Sequence, residues 1–167
     1  MEKRLSYFDL AENDYQFLLK DRKEGRIGNL MCSAAQNICE RYLKHMIDIS
    51  VSEVDTTRIL QTHSLKALRR FMQEYVPEFK GDWRTILQAD GYYFSARYPG
   101  DTAFLVGKED VDDCWEAVEE SRSATLIFLK EREYGKTPVD QEEPEMIQEK
   151  DFSCEPLKPE KKKLRSR

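Results

Sequence analysis

Histidine is scarce. His45 and His63 are the two that the 167 residues contain, and they stand too far apart for the HExxH arrangement that puts two imidazoles on one helical face around zinc. Cysteine is sparse as well. Cys32, Cys39, Cys114 and Cys154 show neither CxxC spacing nor a short repeat, so they suggest neither a zinc site nor a disulfide framework and read as reduced thiols. No G-x-S-x-G elbow occurs, and Gly100 to Gly107 followed by Lys108 and Glu109 has the wrong spacing and final residue for a phosphate-cradling P-loop. Long apolar runs are missing too: nothing approaches about 18 residues. The start, MEKRLSYFDL, lacks the apolar core and small-residue cleavage site of a secretory signal. A cytoplasmic chain with no membrane association is therefore expected. The net charge of -5 argues against a broadly basic nucleic-acid surface, while leaving room for a local basic patch.

What is present is a helical period. Ser6 with Asp9 three residues on predicts a capping box, after which Phe8, Ala11, Tyr15 and Leu18 mark one face until Gly25 interrupts. A second helix carries Ile27, Leu30, Met31, Ala34, Ala35, Ile38, Tyr42, Leu43, Met46 and Ile47, a stripe wide enough to bury against two neighbours. Cys32 and Cys39, seven apart, share a face of it as small core residues. Ser50 to Thr57 reads as a connection. A third helix begins near Thr62 or Ser64, turns Leu65, Leu68, Met72 and Tyr75 inward, and ends at Pro77. The spacing predicts a fourth from about Asp82 through Trp83, Ile86, Leu87 and Phe94, stopping before Pro99. The fifth and longest starts near Lys108, repeats Val111, Cys114, Trp115, Val118, Thr125, Leu126 and Leu129, and meets a left-handed cap at Gly135.

These elements predict an all-α, up-and-down bundle of about five helices over residues 1–135. From Lys136 the composition shifts to Pro, Glu, Lys and Gln, with too few apolar residues to offset an ordering cost of about 1 to 2 kcal/mol per residue. Residues 136–167 are expected to form a disordered charged tail. It holds eight basic and eight acidic residues, five of the positive ones between Lys161 and Arg167, and so contributes nothing to the net charge.

Three segments, AAQNICERYL at Ala34 to Leu43, THSLKAL at Thr62 to Leu68 and YYFSARYPGD at Tyr92 to Asp101, resemble HEPN proteins in order and spacing. The resemblance spans roughly residues 6 to 134. It implies a bundle of four or five helices, a twofold homodimer, and the company of a small nucleotidyltransferase. Active members of that family are metal-independent ribonucleases using an arginine and a histidine four to six residues apart. The imidazole moves a proton at the ribose 2′-hydroxyl while the guanidinium holds the phosphate.

Arg58 and His63 have that interval but precede the third helix instead of occupying the later loop. The alternative account has Thr62 and His63 capping a helix. Arg97 sits where the family's later motif falls, yet Asp101, Thr102, Ala103 and Phe104 follow it with no histidine. The leading reading is therefore a binding module without ribonuclease activity, in which Tyr93, Arg97, Tyr98 and Asp101 receive a nucleotide or RNA by stacking and phosphate contact. Against it stands a plainer account: Tyr93 and Phe94 pack in the bundle, and Arg97 pairs with Asp101. A ribonuclease toxin using Arg58 and His63, and a structural adaptor, are the competing functions. No cofactor or metal is expected. His45 is expected on a polar face or as a satisfied core residue.

Overall fold

The computed structural model describes residues 4–101 and 103–134, and all the regular structure among them is helical. Helix α1, Tyr7–Lys23, opens with the expected capping box: Asp9 N–H donates to Ser6 Oγ at 3.2 Å and Ser6 N–H to Asp9 Oδ2 at 2.8 Å. It ends as Gly25 takes a φ of 69°. Gly25 N–H then reaches Arg22 O at 3.0 Å and Arg26 N–H reaches Asp21 O at 3.1 Å, the crossed pair of bonds that satisfies the last carbonyls of a helix.

Helix α2, Asn29–Ser50, is about 33 Å long and forms the centre of the bundle, packed on α1, on the short helices α3, Thr57–Leu60, and α6, Tyr92–Ser95, on α4, Leu65–Tyr75, and on α7, Lys108–Tyr134. Ile38, Tyr42, Leu43, Met46 and Ile47 are fully buried, as are Cys32 and Cys39. Ile27 and Leu30 depart from the expected stripe. Ile27 precedes the first turn of α2, and the two side chains are 54% and 76% exposed, lining an open groove between α1 and α2. Leu126 on α7 is likewise exposed, while its neighbour Thr125 is buried. On α7 the small residues Ala117, Ser121, Ala124 and Thr125 are buried, which lets the two longest helices approach closely.

Helix α4 has Ser64 as its N-cap, with Ser64 Oγ accepting from Ala67 N–H at 3.2 Å, and it stops before Pro77. The fourth expected helix is not continuous. It breaks into α5, Trp83–Ile86, a 3₁₀ turn, Leu87–Ala89, and α6. The break falls at Asp90 and Gly91, where Gly91 adopts a φ of 101°, closed to most side chains. Asp90 spends its carboxylate on α4, accepting from Leu65 N–H at 2.7 Å. The four-residue α3 begins at Thr57, the last residue of the expected connection, and occupies the stretch before the helix expected near Thr62 or Ser64; Asp55 Oδ1 accepts from Thr57 N–H at 2.9 Å at its start. Gly135 and the segment 136–167 lie outside the described residues. Among the described residues, no helix is long and apolar enough to cross a membrane.

Between α1 and α7, Arg122 clamps Glu12 through two bonds of 2.8 and 2.9 Å while the Tyr42 hydroxyl donates to the same carboxylate at 2.6 Å. Burial pushes the Glu12 carboxyl up, but the guanidinium and hydroxyl outweigh it and hold it below its usual value. Of the two settings expected for His45, a polar face or a satisfied core position, the second does not hold: the residue is half-buried and not fully satisfied. Its ring lies 5.6 Å from that of Phe8 and its buried Nδ1 has no partner among the described residues. Burial pulls the imidazole below 6.5, against the opposing pull of Asp48 and Asp9. A His whose folded pKa is depressed binds protons more readily when unfolded, so stability falls as pH drops from about 6.5 toward the folded value. Thermal melts across that window should show a flatter pH dependence in His45→Leu; an unchanged slope would acquit the imidazole.

Candidate functional site

The site grows from a polar stripe inside an apolar helix. Gln36, Glu40 and Lys44 recur every fourth residue on α2 and so lie on one face, all of them buried. Gln36 uses both ends of its amide: Nε2 donates to His63 O at 2.6 Å, and Oε1 accepts from Tyr93 N–H at 2.6 Å. The loop before α4 and the start of α6 are thereby fixed to the same side chain. Glu40 Oε2 receives Lys44 Nζ at 3.3 Å and His63 Nδ1 at 3.1 Å. The second contact turns the Nδ1 edge of the ring toward the carboxylate and leaves the Nε2 edge pointing away from it. His63 is thus a side chain held by the core, with 38% of its surface open to solvent.

The imidazole stacks on Tyr93 with centroids 3.7 Å apart and planes 8° from parallel. The Arg97 guanidinium carbon lies 4.8 Å from the centroid of the same tyrosine ring. A ring stacked that closely fills one face of Tyr93, which leaves the guanidinium the other. The sequence offers Arg97 no imidazole downstream, but the fold supplies one from a distant loop. The two segments meet through space and not along the chain, because Gln36 is bonded to both.

Arg97 is exposed, and among the described residues it has no carboxylate partner; the expected ion pair with Asp101 is absent there. Asp101 is exposed, and Tyr98, 55% exposed, sits beside Phe94 with ring centroids 6.2 Å apart. Phe94, expected in the bundle, is 60% exposed. The loop is anchored by Asn29, the first residue of α2, whose Nδ2 donates to Phe104 O at 2.7 Å and whose Oδ1 accepts from Val106 N–H at 3.0 Å. Tyr92 turns to structure instead, its hydroxyl donating to Asp110 Oδ1 at 2.8 Å. Arg58 is exposed on α3, with no hydrogen bond to His63 among the described residues. Thr62 Oγ1 accepts from Ser64 N–H at 3.3 Å, so the capping expected of this loop falls to Thr62 and Ser64, not to the imidazole.

Beside Arg97 opens a groove of about 520 Å³ between α1 and the start of α2. Among the described residues no three His, Cys, Asp or Glu groups gather in a way that would hold a metal ion.

Gln36, Glu40 and Lys44 escaped notice in the sequence as site residues. The available signal was the placement of three polar residues at intervals of four in a helix whose apolar stripe is too wide to leave a large solvent face.

The HEPN domain model matches residues 6–127, most of the chain, and the chain belongs to the HEPN domain family. No curated protein and no solved structure matches it.

Proposed function

We propose that this chain is a nucleotide- or RNA-associated HEPN module that binds phosphate at Arg97 without cutting the strand. The observation that carries the reading is the exposed guanidinium of Arg97, 4.8 Å from the centroid of the Tyr93 ring and without a carboxylate partner among the described residues, a cation able to receive a phosphate. Tyr98 adds an exposed aromatic face beside it, and base stacking tolerates any sequence. Against cleavage stands the interposed Tyr93 ring, which keeps imidazole and guanidinium on opposite sides of an aromatic plane. The test is binding of a labelled single-stranded RNA in EDTA, comparing the full chain with Arg97→Ala. Saturable binding of intact RNA that the substitution weakens is expected.

A cleaving function is favoured by one contact, the 3.1 Å link from Glu40 to His63, which orients the imidazole through Nδ1, as a group that moves a proton must be oriented. Its arginine is Arg97 in place of Arg58. The same experiment distinguishes it: RNA fragments formed in EDTA and lost in His63→Ala would replace the binding reading with a ribonuclease.

The chain is further proposed to work as a homodimer beside a nucleotidyltransferase-type partner, as its family habit suggests. Light scattering on the full chain should give twice the single-chain mass. A monomer at all concentrations tested would remove the dimer.

A further inference from the structure

The groove between α1 and α2 has features that phosphate binding does not use. Its volume, about 520 Å³, falls within the range of about 300 to 1,000 Å³ typical of small-molecule sites. Leu18 and Met31 give it a buried apolar floor, while Phe17 and Leu30, 67% and 76% exposed, stand at its mouth. Most of the charges lining it already have partners: Asp14 is paired with Arg41, and Asp21 with Arg26 at 3.4 Å. Arg97 is the lining cation with no carboxylate partner among the described residues. Asn37 also lines the groove, and its side-chain amide has no hydrogen-bond partner there among the described residues.

These features select a ligand. A wholly apolar occupant would cover the Asn37 amide without satisfying it, at a cost comparable to a lost hydrogen bond. A free phosphate would leave the apolar floor and the Phe17 ring in water. A planar heterocycle with hydrogen-bonding edges, joined to an anion, meets all the requirements at once. We infer that the α1–α2 groove is the base subsite for a nucleoside monophosphate unit whose phosphate Arg97 holds, with Phe17 stacking on the base and Asn37 reading its edge. The inference rests on the binding function proposed above and extends it. That unit is available from two sources, a free mononucleotide or an unpaired residue of an RNA strand.

The experiment uses the full chain with four probes: AMP, UMP, a single-stranded RNA hexamer, and the same hexamer made abasic. Phe17 is largely exposed, so Phe17→Ala should leave the fold intact, which circular dichroism would check. Phe17→Ala is expected to weaken the base-bearing probes about tenfold, in line with the loss of one base–aromatic stack, and to leave the abasic hexamer unchanged. Asn37→Leu is expected to narrow the difference in affinity between AMP and UMP. Arg97→Ala should weaken the abasic hexamer too. Binding of the hexamer but of neither mononucleotide identifies the strand as the source, and the Phe17→Ala loss must then appear on the hexamer. Should Arg97→Ala weaken binding while Phe17→Ala and Asn37→Leu match the unaltered chain, the base subsite is overturned and the phosphate function survives. Equal weakening of intact and abasic hexamers by Phe17→Ala would also overturn it. If the unaltered chain binds none of the probes, both proposals fall.

Discussion

Replacing Lys44 with methionine is expected to destabilise the chain by about 3 to 5 kcal/mol, the usual cost of stripping one partner from a buried ion pair. The methylene stem is replaced almost atom for atom, so the loss comes from charge and not from packing. Glu40 is 1% exposed and Lys44 7%, and without the ammonium the carboxylate is left with Gln36 and His63, at 3.3 and 3.1 Å. Removing both charges in Glu40→Leu/Lys44→Met should cost less than the sum of the single changes, since neither charge is then orphaned. Urea unfolding of the four proteins gives the coupling. Additive losses would mean that the two groups do not depend on each other, and the account of the polar stripe given above would fail.

Arg97→Ala carries the largest expected effect on binding. Hydrogen bonds to a charged group contribute about 1.5 to 3 kcal/mol, so the RNA dissociation constant should rise by between about tenfold and a hundredfold. The signature that separates a lost phosphate contact from a misfolded loop is salt. Removing one phosphate contact to a single strand should shallow the slope of log affinity against log salt by about 0.7. Arg97 is exposed, and the loop is tied down by Asn29 at Phe104 and Val106, so the truncation is not expected to disturb the backbone. A weaker complex with an unchanged slope would point to stacking on Tyr93, and the phosphate role would be withdrawn.

The helices themselves were legible because their causes are local. Ser6 and Asp9 three apart, Gly25 after a run of apolar period, and Pro77 after Tyr75 each act within one turn of chain, and the structure places a capping box, a left-handed glycine and a helix end there. The fourth helix was misread because the deciding partner is remote: Asp90 leaves its own helix to hold Leu65 N–H. Ile27 and Leu30 follow the apolar period of α2 yet face a groove, since periodicity marks a face of the helix but not how far along it the neighbour extends. The candidate site was half visible. Arg97, Tyr93 and Tyr98 could be picked out by chemistry, but the meeting of His63 with Tyr93 depends on a glutamine in the middle of α2, and no spacing rule within either segment encodes it.

The two bonds of the Gln36 amide have a dynamic consequence. The first amide hydrogens of a short helix usually exchange with solvent as its end frays, yet that of Tyr93 is lodged on a side chain of the central helix. Its deuterium uptake should follow the opening of α2 together with the His63 loop, not the fraying of α6, so that a four-residue helix inherits the lifetime of a much larger cooperative unit.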